Sequence, residues 1–230
     1  MSKASTVHLG RHEIGRFSFF LVSLLMMIGL RPLLDEWIGG LFWGDVSTDI
    51  FFACALMSGL HAINEQPQQL RISLLLVVAI IILSVLHYNI QNSIIDNTKL
   101  ILSLIFLVQM LIMILTHIQK QNDVTIDLIM AAASAYILLG MVWAYAYYFL
   151  ESFHLHSFST NESLYDVLGA FNYYSFTTLT TVGYGDIFPA TKAARALSIL
   201  EAITGQLYLA IMISRLVGLH ASQARTRYEN

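Results

Sequence analysis

Charge is scarce in this sequence. Asp, Glu, Lys and Arg supply 12% of its 230 residues, against about 25% in ordinary soluble domains. Hydrophobic residues make up 57%, so a folded chain of this size has too little charged surface to be wetted by water. Much of its exterior must face a bilayer. The 12 basic residues are outnumbered by 15 acidic ones, and no basic run exists, which excludes nucleic acid as a partner. A single cysteine, Cys54, excludes an intrachain disulfide framework and a cysteine-based zinc site. Three prolines and long apolar runs favour helices over a membrane barrel of alternating strands. The expected fold class is therefore an all-α membrane protein.

The few charges divide the chain into apolar runs at Phe17–Leu30, 50–64, 72–95, 100–119, 128–150 and 196–219. The last is interrupted only by Glu201 and Arg215. A helix needs about 20 residues to cross a bilayer. The later runs reach that length; the first two fall short and need Arg16, Arg31 or Asp49 to snorkel at their ends. Six transmembrane helices are expected. Lys3, Arg11 and Arg16 precede the first run, but no small-residue cleavage site follows it, which favours a retained helix over a signal peptide. With the N-terminus inside, eight of the 12 basic residues fall on the cytoplasmic side and most acids outside. That bias places both termini in the cytoplasm. Trp37, Phe42 and Trp43 fit an outer aromatic belt. The loops at 65–71, 96–99 and 120–127 are too short for a soluble domain, and about ten residues follow Leu219. No cytoplasmic ligand-binding domain is expected on this chain. The absence of a processing signal points to a bacterial plasma membrane.

One segment does not read as an ordinary loop. Residues 171–186 contain Tyr173, Tyr174, Thr177 and Thr180, followed by Thr181, Val182, Gly183, Tyr184, Gly185 and Asp186. Ser163 and Asp166 form a capping-box pattern that predicts a helix ending near Leu179 or Thr180. This helix is too short to cross and lies between outward-facing loops, so it reads as a re-entrant half-helix. Its C-terminal end would carry partial negative charge and favour a nearby cation. Non-helical backbone at membrane depth is tolerated only where it lines a cavity or is buried in protein. Glycines at alternate positions permit positive φ, so that successive carbonyls can face the same way. Such oxygens could replace the water around a dehydrated cation, and oxygen ligation suits a hard one.

The hexapeptide Thr181–Asp186 resembles the selectivity filter of tetrameric potassium channels. Its chance occurrence in a chain of 230 residues is on the order of 10⁻⁵ at average residue usage. The sharp resemblance covers about residues 171–217. It implies six transmembrane helices with a re-entrant pore helix and filter between the fifth and sixth. Residues 1–122 would form a four-helix peripheral domain, 123–220 a pore domain and 221–230 a short cytoplasmic tail. The resemblance further implies that Thr181, Val182, Gly183 and Tyr184 coordinate K+ through carbonyls, with the Thr181 hydroxyl closing the inner site. Gly185 would let the chain exit and Asp186 would sit at the outer mouth. Tyr173 and Tyr174 stand where similar channels carry bracing tryptophans, and Thr177 stands where some carry a carboxylate. Thr180 joins them as filter support. Gly205 occupies the place of an inner-helix hinge glycine, with close packing as the alternative. Leu209, Ile213 and Val217 would follow along the conduction path, Val217 near a cytoplasmic narrowing. One filter strand cannot close a ring, so a homotetramer is expected.

The remaining polar residues narrow the reading. Glu201 lies inside an apolar helix, either as a functional carboxylate or bonded to the pore helix or its threonines. Arg215 is expected to snorkel to the cytoplasmic surface, and Arg195 to rim the outer mouth or pair with an external acid such as Asp186 or Glu162. Residues 100–119 contain no Arg or Lys, so a voltage sensor is not expected. No nucleophile–base or metal constellation suggests an enzyme, and no cofactor beyond the permeant K+ is implied. The expected function is passive, potassium-selective permeation with little voltage dependence. A weakly selective cation channel and a non-conducting sensor or accessory subunit are the alternatives.

Overall fold

The computed structural model describes residues 16–38, 67–90, 92–160 and 167–229. The run at 50–64, Phe42, Trp43 and the capping pattern at 163–166 lie outside them. The described elements are α1 (Arg16–Ile38), α2 (Pro67–Ile90), α3 (Ser93–Lys120), α4 (Ile126–Phe153), β1 (Phe158–Thr160), α5 (Val167–Leu179), β2 (Ile187–Pro189) and α6 (Lys192–Glu229). Among the described residues, three helical stretches are long and apolar enough to cross a membrane: Ser93–Lys120, Ile126–Phe153 and Lys192–Gln223. Phe17–Leu30 and Arg71–His87 are shorter apolar stretches.

Several boundaries differ from those expected. Residues 96–99 do not form a loop but belong to the first turns of α3. The Asn92 side chain accepts the Ile94 N–H at 2.9 Å and starts that helix, while Asp96 sits where the helix dipole favours an acid. His87 of α2 pairs with Asp96 across the turn. Helix α3 thus begins just after the uncharged Asn92, ahead of its nearest charges. Helix α2 starts at Pro67, inside the expected loop 65–71, because proline's fixed φ suits a first helical turn. Helix α1 continues past Arg31 and Pro32 to Ile38. Between α3 and α4 the expected turn is present. Thr125 accepts the Leu128 N–H at 3.1 Å to cap α4, leaving Ile126 and Asp127 in its first turn.

Helix α3 packs on both α2 and α4, and α1 packs on α4. Their shared core is almost wholly apolar, built around Phe17, Phe20, Phe106, Met110, Ile114 and Leu138. Gln109, the polar residue midway along α3, donates to Ser73 Oγ of α2 at 3.0 Å. At the end of the bundle opposite the α2–α3 turn, Asp127 accepts the Phe17 N–H at 3.0 Å. Arg215 of α6 reaches the same end. Its guanidinium donates to the carbonyls of Ile118, Gln119 and Gln121 at 3.0, 2.8 and 3.0 Å. The arginine expected to snorkel thereby caps the end of α3, where the carbonyls carry partial negative charge.

Beyond α4 the chain folds back sharply. Glu151 accepts the N–H groups of His156 and Phe158 at 2.7 and 3.1 Å, and His156 adopts a left-handed φ of 65°. Strand β1 then pairs antiparallel with β2, Phe158 opposite Pro189 and Thr160 opposite Ile187. This ladder, absent from the sequence reading, ties the end of α4 to the chain that leaves residue 186. Arg195, expected to rim the outer mouth or meet an acid, donates through Nε to Pro189 O at 3.2 Å.

Candidate permeation site

Helix α5 ends at Leu179, as its sequence predicts, and residues 180–186 run on without regular structure. The N–H groups of Val182 and Gly183 both turn back to the Thr177 carbonyl, at 2.8 and 3.2 Å, and the Thr181 N–H reaches Thr178 O at 3.0 Å. The end of the helix therefore consumes the amides of the segment that follows. Thr181, Gly183 and Gly185 have φ of 63°, 55° and 81°. Every second residue is thus left-handed. Glycine adopts this region at no steric cost. A β-branched residue does not, and Thr181 is held there by the amide bonds on either side of it.

The aromatic residues before this segment meet it from behind. Tyr173 donates to Asp186 Oδ2 at 2.6 Å, and its ring stacks on Tyr184 with planes 2° apart and centroids at 6.2 Å. Asp186 also accepts the Ile187 N–H at 3.0 Å. Its carboxyl is held below the ordinary carboxylate value, chiefly by the Tyr173 hydroxyl. Tyr174 points the other way, with its hydroxyl 2.7 Å from Ser198 Oγ of α6. Thr177 and Thr180 do not join the contact with Asp186; their hydroxyls donate to Tyr174 O and Phe176 O within α5.

What holds α5 at its angle is a set of contacts with α4 and α6. Ser198, Glu201 and Gly205 lie at helical spacing on α6 and meet Tyr174, Ser175 and Leu179 in the same order. At the third rung, a Cβ on Gly205 would lie 2.7 Å from Leu179 Cδ1 and 3.1 Å from Leu179 O. Gly205 is therefore a close-packing site, and α6 runs through it without a break. On the other side Gly140 of α4 faces the Phe176 ring, 2.7 Å from where its Cβ would stand. Tyr136 donates to Leu179 O at 3.3 Å, and Trp143 donates to Thr204 Oγ1 of α6 at 3.1 Å. Tyr147, Phe158, Phe171 and Tyr174 form an aromatic cluster over the base of α5, with edge-on centroid distances of 5.0–5.4 Å.

Glu201 is fully buried at the second rung. Its carboxyl meets the Tyr147 hydroxyl of α4 and lies 2.5 Å from Ser175 Oγ of α5. Its partner on α5 is a serine, within the expected alternative of a bond to that helix or its threonines. Leu209, Ile213 and Val217 do not share the face of Gly205. Each four-residue step advances about 40° around a helix, so that face is left behind. Leu209 is half-buried, whereas Ile213 and Val217 are exposed.

Sequence reading missed Gly140, Tyr136, Ser175 and Tyr147. Only Gly140 carried a signal, as a lone glycine within an apolar helix.

Residues 135–219, from α4 through α5 and the segment 180–186 into α6, match a protein-family model described as "Ion channel". Over 45 residues the chain is 42% identical to two-pore potassium channel 4 of Arabidopsis thaliana, a stretch covering 20% of this chain and 16% of that protein. The chain thus spans a small part of the length of the curated relative it matches. No solved structure matches.

Proposed function

We propose that four copies of this chain assemble a potassium-selective pore in a plasma membrane, with α5 as a re-entrant pore helix and residues 181–185 as the filter. A single observation carries this reading. Thr181, Gly183 and Gly185 alternate in left-handed backbone directly after a short helix whose terminal carbonyls take up the local amides. A chain whose amides are engaged on one side has its carbonyls left for a dehydrated cation, and K+ is the hard cation that rings of such carbonyls select. Thr181, Val182, Gly183 and Tyr184 supply those oxygens, four copies at each level. The ion passes down its own gradient and no bond is made or broken.

Assembly as a tetramer is supported by what one chain leaves uncovered. Val182 and Tyr184 are 51% and 72% exposed, although both belong to the segment that must be held most rigidly. Ile199, Ile203, Leu207 and Ile211 of α6 are exposed as well, and neighbouring subunits and the pore axis account for that face. The six-span topology, cytoplasmic termini and division at residue 122 form part of the same proposal. Helix α3 has Lys99 and Lys120 near its ends and no Lys or Arg between, so opening responds little to voltage. Moving one charge through 100 mV supplies about 2.3 kcal/mol, and this helix moves none.

The test is a bi-ionic reversal potential, K+ against Na+, on the purified full chain in planar bilayers. A strong shift toward the K+ equilibrium is expected, with open probability nearly flat in voltage. A reversal near zero would instead indicate a weakly selective cation channel, and no current a non-conducting subunit.

A further inference from the structure

Glu201 stands apart from the polar residues that merely satisfy themselves on their own helix. It is buried and joins three helices: α6, which carries it, α4 through Tyr147 and α5 through Ser175. Counting hydrogens fixes its form. Ser175 Oγ lies 2.7 Å from the Gly140 carbonyl and 2.5 Å from Glu201 Oε1. A carbonyl only accepts, and a serine has one hydroxyl hydrogen. With that hydrogen on Gly140 O, the short contact between Oγ and Oε1 needs a second one, which only the carboxyl can supply. Tyr147 meanwhile donates to Oε2. Three contacts require three hydrogens, and Tyr147, Ser175 and a neutral Glu201 provide them. No Lys, Arg or His joins these contacts, and a bare carboxylate without a cation is costly in such a place.

We propose that Glu201 is a neutral carboxylic acid that positions the pore helix, donating to Ser175 and accepting from Tyr147 so that α5 is locked between α4 and α6. The lock acts one turn before Leu179, the residue seated on Gly205, and less than two turns before Thr181. Displacement of α5 is thereby passed to the filter backbone, whose amides hang from Thr177 O and Thr178 O. Glu201 touches no ion in this scheme; it is a positioning residue. The role rests on the reading of 181–185 as a filter, whereas the neutral acid does not.

A glutamine places an N–H donor group and a carbonyl acceptor in nearly the same places as a neutral acid, whereas an ionised carboxylate only accepts. The experiment compares full-length wild type, Glu201→Gln, Glu201→Ala and Ser175→Ala after purification and reconstitution. In infrared spectra at neutral pH, the wild type is expected to show a carboxylic-acid carbonyl band that shifts in D2O and is missing from Glu201→Gln. In bi-ionic recordings Glu201→Gln keeps the K+/Na+ permeability ratio within about threefold, while Glu201→Ala, or Ser175→Ala should the former not assemble, lowers it about tenfold. The absence of the acid band overturns the proposal, as does a Gln variant as impaired as the Ala variant. A wild type that shows the band but no potassium preference overturns the filter reading and the positioning role together, and leaves the neutral acid standing.

Discussion

The two halves of the chain are built on different principles. The peripheral helices α1–α3 pack chiefly through apolar side chains, with Gln109–Ser73, His87–Asp96 and the Phe17 N–H on Asp127 as polar exceptions. The half that contains α4, α5 and α6 is threaded with directed contacts: Tyr136 to Leu179 O, Trp143 to Thr204, Tyr174 beside Ser198, and Glu201 between Tyr147 and Ser175. Lipid is as apolar as leucine, so burial alone holds helices together weakly and in many orientations. Hydrogen bonds and close-packed glycines specify one orientation. They are concentrated where a short helix must present an irregular strand at a fixed place.

The largest effect that would sharpen this contrast is expected at Gly183. A left-handed φ of 55° costs an L-residue about 1–2 kcal/mol. In the proposed tetramer, which would carry it four times, Gly183→Ala is expected to lower K+ flux into liposomes more than about hundredfold. Flux equal to wild type would show that the segment does not shape the permeation path. Next come two glycines tested as a pair. Gly205→Val forces atoms against Leu179 and is expected to cost about 1–3 kcal/mol by overpacking. Among the described residues nothing lies within 4 Å of a Cβ added to Gly29 of α1, so Gly29→Ala is expected to leave stability unchanged or raise it by up to about 1 kcal/mol. Thermal unfolding in detergent compares them, and equal losses would erase the distinction between the halves.

A smaller effect is expected from Tyr173→Phe, read as a shift in pH. The folded-state pKa of Asp186 is lowered, mainly by Tyr173. Its stabilising contact is therefore complete above the ordinary value of 3.8 and lost as pH falls through the lowered folded value. Without the hydroxyl, protonation moves up toward 3.8. Carboxyl titration by NMR with labelled aspartate would show the move, and an unchanged titration would remove Tyr173 as the cause. The smallest change is expected in the periphery. Gln109→Leu breaks the bond to Ser73 and is expected to cost about 0.6 kcal/mol in the same unfolding assay. A loss above about 2 kcal/mol would mean that the outer helices are specified by polar contacts after all.

The same division governs what could be read from the sequence. The apolar runs behind α4 and α6 and the end of α5 at Leu179 were legible, because length and local chemistry set them. The α2–α3 boundary was not. Charges at Asp96 and Lys99 look like a loop, yet an acid in a first turn strengthens a helix, and the true break falls at Asn92, whose side chain starts α3. Arg215 was legible as a charge near a helix end; its partners at Ile118, Gln119 and Gln121 lie more than 90 residues away and depend on how α6 crosses α3. Ser175 was hidden for the same reason, and the lone Gly140 marked a close approach without naming its partner. The β1–β2 ladder is only three residues long on each side, too short to leave a periodic trace. Alternate glycines disclosed the unusual backbone at 183 and 185, but Thr181 argued against its own conformation, since a β-branched side chain disfavours it.

That alternation has a meaning in terms of mirror images. A strand in which residues 181, 183 and 185 take left-handed angles is, to its backbone, a heterochiral peptide written with homochiral letters, and glycine is the achiral letter that makes this possible. Among the described residues, chain neighbours aside, nothing lies within 4 Å of a Cβ built on Gly183 or Gly185. Against those residues, both positions therefore demand handedness, not smallness. A D-alanine there, introduced by chemical ligation, meets the demand that L-alanine fails.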